Sequence, residues 1–227
     1  MSVARGEWDT YWKQQQTVTR TYGRIADIYR KFIIPKSLTR TIRSTVSSGS
    51  HLLHAGAGAG AVEIRLPNEW TIHSIDYSKQ AVTEHQSLYK SDGRHSLALQ
   101  GDIFALPYAS GTFDAVFNLG VMEHFSDEEI LAALKEMGRV LRVDGHVILY
   151  WPPVWGLSVF ALRLVKSVLR LTSRKRIVLH PPEINLLESR HKCEQWLKST
   201  GFVLERFSFG VGDFFTHQIV VARRTNE

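Results

Sequence analysis

From residue 50 onward, short apolar runs of strand type alternate with stretches whose apolar positions recur at helical spacing. Residues 51–55, 70–76, 96–101, 113–119 and 146–151 predict five strands, with helices over 78–90 and 127–141 between them. A helix over 189–200 then precedes two more strands, 202–209 and 215–222. This alternation predicts a largely parallel sheet with crossover helices. Only the short loop 210–213 separates the last two runs, which suits an antiparallel pair. The expected fold is therefore α/β: seven strands, mostly parallel, with an antiparallel last strand. Ahead of it, residues 8–34 read as one or two amphipathic helices ended by Pro35.

The helix over 127–141 is the best marked. Ser126 can cap it, Asp127, Glu128 and Glu129 fill its first turn, and Asp144-Gly145 predicts the turn into the next strand.

Composition sets bounds on this picture. The chain has 227 residues, 44% of them hydrophobic, enough for one sizeable core. We expect a single domain over 1–227: a helical cap at 1–45, a core at 50–151, an insert at 152–185, and a C-terminal helix and strand pair at 186–227. One cysteine, Cys193, excludes a disulfide framework within the chain and a cysteine-based zinc site. No apolar run reaches the ~18 residues of a transmembrane helix, and the start of the chain lacks a signal-peptide pattern. The expected location is cytoplasmic, with peripheral contact at the inner face of a membrane left open.

The net charge of +6 is unevenly spread. Residues 151–182 hold Arg163, Lys166, Arg170, Arg174, Lys175 and Arg176 and no acid; outside that window the charges balance. No nucleic-acid-binding motif accompanies them, so a nucleic-acid partner is not expected. Within 157–171, Leu157, Phe160, Ala161, Leu164, Val168 and Leu171 share one helical face, and Arg163, Lys166 and Arg170 another. Such a helix could cover an acceptor, lie on an anionic membrane through residues 157–176, or pack with a solvated basic face.

The strongest local chemistry lies in His51-Leu-Leu-His-Ala-Gly-Ala-Gly-Ala-Gly60, a strand running into a glycine-rich turn before a helix. Gly56, Gly58 and Gly60 permit positive φ and close backbone approach to a ligand. Asp76 ends the next strand, where an acid can take both hydroxyls of a ribose. Together they indicate an adenosine-containing cofactor. The glycines fit both a dinucleotide fingerprint and an S-adenosylmethionine (SAM) turn.

Further along stand Gly101-Asp102-Ile-Phe-Ala-Leu-Pro107, then Thr112-Phe-Asp-Ala-Val-Phe-Asn-Leu-Gly-Val-Met-Glu-His-Phe125, then Arg139-Val-Leu-Arg-Val-Asp-Gly-His146. This ordered series resembles the class I SAM-dependent methyltransferases, a Rossmann-like sandwich family, and especially the branch with ubiquinone and menaquinone-biosynthesis enzymes. The resemblance covers about residues 50–151 and implies SAM as cofactor. It implies that Gly56, Ala57, Gly58 and Gly60 lie under the methionine part and that Asp76 binds the ribose, with Tyr77 beside the adenine. Asp102 and Ile103 match the adenine contacts, and Asn118, Leu119 and Gly120 the segment under the sulfonium. The family usually has an acid at the position of His54, which helps to hold the ammonium end. A neutral histidine can accept a hydrogen bond there and a protonated one repels, so affinity should depend on pH. The alternative is a semi-buried strand histidine whose task falls to backbone carbonyls.

Glu123 and His124 follow the fourth strand, near the reacting methyl in this resemblance. His124 is the candidate general base for a hydroxyl acceptor, with Glu123 beside it. Some quinone-type relatives hold a divalent ion through Glu-x-x-Glu-His; Gly120 stands at the first of those positions, so no metal is expected. The expected activity is methyl transfer from SAM to a small-molecule or lipid-like acceptor, at oxygen. A nicotinamide-dependent oxidoreductase using the same turn, and a non-catalytic methyltransferase-like partner protein, are the alternatives.

Overall fold

The computed structural model describes residues 29–156, 183–210 and 215–225. A π-helical turn, Tyr29–Ile33, runs directly into α1, Ile34–Arg43. Pro35 therefore does not end a helix, as its sequence position suggests; it lies in the first turn of one. The opening amides of a helix have no intrahelical acceptor, so a missing N–H costs nothing there, and the fixed φ of proline suits the helix. The remainder of the expected 8–34 helices and the amphipathic stretch at 157–176 lie outside the described residues.

The elements continue as β1 (His51–Ala55), β2 (Thr71–Asp76), α2 (Lys79–Ser91), β3 (Ala98–Gln100), β4 (Phe113–Leu119) and α3 (Asp127–Val140). After these come β5 (Leu141–Trp151), α4 (Arg190–Ser199), β6 (Phe202–Ser208) and β7 (Gln218–Arg224). The strands form one sheet in the order β3-β2-β1-β4-β5-β7-β6. Pairing from β3 to β5 is parallel, and β7 runs antiparallel to both β5 and β6. The expected seven strands with an antiparallel last strand are present. Ser126 caps α3 as its sequence suggests, closing a capping box with Glu129.

One strand differs from its expected bounds. β5 begins at Leu141 rather than 146 and passes through Asp144-Gly145 as a bulge instead of a turn. Its pairing with β4 steps from Phe113↔Leu141 to Ala115↔His146, and Asp144 adopts φ 58. A Cβ on Gly145 would stand 2.9 Å from the carbonyl oxygen of Arg142, so only glycine fits beside the bulge.

Alternation along the strands splits the core between two faces. Leu53, Val116, Val147 and Leu149 join α3 and α4 through Leu134, Met137 and Leu197. On the other face Leu52, Phe117, Ile148 and Tyr150 meet Ile34, Leu38 and Ile42 of α1. Ser37 Oγ and Thr41 Oγ1 of α1 lie 3.0 and 3.1 Å from the Tyr150 hydroxyl, which satisfies three buried polar groups together. Among the described residues no helix is long and apolar enough to cross a membrane.

Candidate functional site

The central parallel strands end at one edge of the sheet, where ligands of open α/β folds sit. Gly56, directly after β1, has φ 82, and a Cβ there would stand 2.6 Å from Cγ2 of Val121. Gly60 has φ 72, and its Cβ would meet the His85 ring at 2.6 Å. Both glycines are thus required by neighbouring side chains as well as by backbone conformation. The amides of Gly56 and Ala57 donate to the Ile75 carbonyl at 2.9 and 3.0 Å. The turn leads into a short 3-10 turn, Glu63–Arg65, rather than the expected helix.

Asp76 closes this turn from the end of β2. Its Oδ2 accepts from the Gly58 amide at 2.8 Å and its Oδ1 from the Ser78 amide at 2.9 Å. Tyr77 beside it is 43% exposed, open at the edge of the site. Asp102 follows β3, where its Oδ1 accepts from the Phe104 amide at 3.0 Å; Ile103 packs partly buried against the core. At the end of β4, Asn118 is fully buried and donates from Nδ2 to the Ala55 carbonyl at 2.9 Å, which locks β4 to the start of the glycine turn. Leu119 is partly buried, and Gly120, at φ 64, donates to the Tyr150 carbonyl at 3.0 Å.

His54 is not semi-buried; it is 2% exposed, stacked on Phe117, and bound to an acid the sequence reading missed. Glu63, wholly buried, lies 2.8 Å from His54 Nδ1 and accepts from the Ser74 hydroxyl at 2.9 Å. Its other oxygen bonds Nε2 of His85. Nδ1 of His85 lies 2.8 Å from the Ser96 hydroxyl, so each member of the chain Ser96–His85–Glu63–His54 has a consistent donor and acceptor role. Burial holds the His85 imidazole below its ordinary range, with Glu63 opposing part of that effect. A carboxylate placed under the turn is compensated here by three donors, His54, Ser74 and His85, as burial of a charge demands. The available signal was two histidines and a glutamate scattered over residues 54–85, and nothing in their spacing pairs them.

Glu123 and His124 lie together in a 3-10 turn, Met122–His124, and both are buried. Burial, reinforced by Glu183, pushes the Glu123 carboxyl up to about 8, so it is neutral at pH 7. Its Oε1 lies 3.8 Å from His124 Nε2, too far for a hydrogen bond. The Glu123 carbonyl accepts from Ile184 and Asn185 at 2.8 and 2.9 Å, which fastens the chain re-entering after residue 182 to this turn. Among the described residues no group of three or more His, Cys, Asp or Glu is arranged to hold a metal ion. Cys193 is buried, with its thiol pushed up to about 12, and is unreactive.

Residues 53–149, running from within β1 to within β5, match the family described as Methyltransferase domain. The O-methyltransferase resE of Aspergillus sclerotiorum is 32% identical over 117 residues, covering 48% of this chain and 43% of that protein. A tRNA (carboxymethyluridine(34)-5-O)-methyltransferase of Xenopus tropicalis is 40% identical over 58 residues, 25% of this chain and 9% of that protein. The chain spans less than half the length of these curated relatives. Magnesium protoporphyrin IX methyltransferase from Synechocystis PCC 6803, solved with bound SAH, shares the fold at a TM-score of 0.69. That likeness covers 98% of this chain and 99% of that one, at 18% identity. The match to the Methyltransferase domain family runs through the central strands of the sheet, and the fold is shared with the Synechocystis enzyme across nearly the whole chain.

Proposed function

We propose that the chain transfers a methyl group from SAM to a small-molecule or lipid-like acceptor, at oxygen. The observation that carries this reading is the closed glycine turn at the end of β1, held by Asp76 through the Gly58 amide. Two buried acceptor atoms beside that turn, His54 Nε2 and Asn118 Oδ1, have no hydrogen-bond partner among the described residues. The ammonium of the cofactor's methionine end is a donor and suits such acceptors. Because Nδ1–H of His54 donates to Glu63, the Nε2 lone pair is what this histidine can offer. A histidine backed by a buried acid thereby stands in for the acid usual at this position.

The other contacts follow from the same alignment. Asp76 takes the ribose hydroxyls, while Tyr77, Asp102 and Ile103 border the adenine. Gly56, Ala57, Gly58 and Gly60, with Leu119 and Gly120, let backbone pass close under the methionine end. SAM supplies a methyl already activated on a sulfonium, so the chain's own work is alignment and exclusion of water. His124 takes the proton of the acceptor hydroxyl as the new bond forms. Glu123, neutral beside it, places no charge next to the incoming acceptor. Oxygen as the accepting atom agrees with the name of the Aspergillus sclerotiorum relative.

The test is incubation with methyl-labelled SAM and a mixed extract of small molecules, lipids and RNA. Label in the small-molecule or lipid fraction, as an alkali-stable ether or an ester, is the expected result. Label confined to RNA or protein would overturn the acceptor assignment.

A further inference from the structure

Helix α1 has two unlike sides. Ile34, Leu38 and Ile42 are buried, whereas Lys36, Arg40 and Arg43 are exposed at i, i+4 and i+7. Together with Lys31 and Arg65 they line an open groove of ≈ 760 Å³ between α1 and the segment after the 3-10 turn. Arg43 is paired with Glu69 at 2.7 Å. Lys31, Lys36, Arg40 and Arg65 have no carboxylate partner among the described residues. Phe32, also lining the groove, is 57% exposed.

The sequence around α1 is as one-sided as the groove. Residues 28–62 contain five Lys or Arg and no Asp or Glu, and 151–182 contain six and none. Outside these two windows 17 basic residues face 22 acidic ones. The excess charge is thus a local property of two segments on an otherwise acidic chain, and one of them builds this groove.

We propose that the groove is a docking surface for a bilayer containing anionic phospholipid. Four cations on long stems, without a carboxylate partner among the described residues, meet the phosphates, and Phe32 enters the interfacial layer as the apolar anchor. A single-stranded nucleic acid would need aromatic platforms for successive bases, and this groove offers one ring. The proposal is independent of the methyl-transfer reading, since none of its residues is among those assigned above to the cofactor or to proton removal at His124.

The test is co-sedimentation of the full chain with vesicles of mixed phosphatidylglycerol and phosphatidylcholine, or of phosphatidylcholine alone, at low and high salt. Binding to the anionic vesicles only, lost at high salt, is expected. The triple variant Lys36→Gln, Arg40→Gln, Arg65→Gln should lower partitioning about a hundred-fold, at about five-fold per cation. Its melting temperature should stay at the wild-type value because the three side chains are exposed. Phe32→Ser, tested separately, should weaken binding to the anionic vesicles at low salt. Equal sedimentation with phosphatidylcholine alone, no sedimentation of the wild type, or undiminished binding by the triple variant would each overturn the proposal. Tighter binding of oligouridylate than of vesicles, lost in the same variant, would assign the groove to RNA instead.

Discussion

Nδ1 of His54 lies 2.8 Å from Oε2 of Glu63, and neither side chain reaches solvent. The pair joins the last turn of β1 to the segment beyond the glycine turn, so the turn is held at both ends. His85, bonded to the same carboxylate and packed where a Cβ of Gly60 would fall, closes it from α2. The geometry of the glycine turn therefore depends on a buried polar chain rather than on an acid in the strand.

Glu63→Gln replaces an acceptor with a group whose amide must face an imidazole N–H. A buried donor left without its partner costs about 1–3 kcal/mol. The melting temperature should fall by roughly 3–10 °C. Affinity for S-adenosylhomocysteine should fall more than affinity for adenosine, which lacks the amino-acid end. Equal losses for both ligands would show that the Glu63–His54 pair does not serve that end.

Gly60→Ala should be far worse than Gly93→Ala. Gly93 has φ +69 with nothing near its Cβ position, so alanine there meets only backbone strain of about 1 kcal/mol. Gly60 has a similar φ and the His85 ring at 2.6 Å. Chemical denaturation of the two variants should separate them by at least about 1 kcal/mol, since overpacking adds its own cost. Matching midpoints would mean that His85 yields freely.

Much of this was legible in the sequence, and the misses have physical causes. β1 and β4 were read to the residue because each is a bounded apolar run, and Asp76 because it ends such a run at the right distance from the glycines. Pro35 was misread because a proline marks a helix start as well as a helix end, and local sequence does not choose between them. Asp144-Gly145 carries turn chemistry, yet pairing with β4 on either side of it holds it inside a strand. Glu63 was missed because its partners sit 9 residues before and 22 residues after it, and only the fold brings them together.

Glu123 should make stability depend on pH in an unusual direction for a carboxyl. Its folded-state value, about 8, lies above the ordinary value of 4.5 expected for the unfolded chain. Between those values the folded state binds the extra proton, so this group's contribution declines as pH rises through the window. His217, pushed down to about 4 by burial, acts in the opposite sense below its ordinary value of 6.5. The interval from about pH 6.5 to 8 therefore isolates Glu123. Glu123→Gln should gain stability relative to the wild type across that interval, by at most about 2 kcal/mol. Parallel denaturation midpoints for the two proteins from pH 6.5 to 8 would refute the buried neutral carboxyl.

The central claim is that the Asp76-closed turn holds an adenosyl cofactor with a methionine end. Calorimetric titration with S-adenosylhomocysteine and with NADH, on the wild type and on Asp76→Ala, addresses it most directly. We expect the wild type to bind S-adenosylhomocysteine and not NADH, and Asp76→Ala to lose about a hundred-fold or more in affinity, since the ribose contact and the Gly58 anchor go together. Binding of NADH in place of the sulfur ligand, or no binding of either by a folded wild type, would contradict the account.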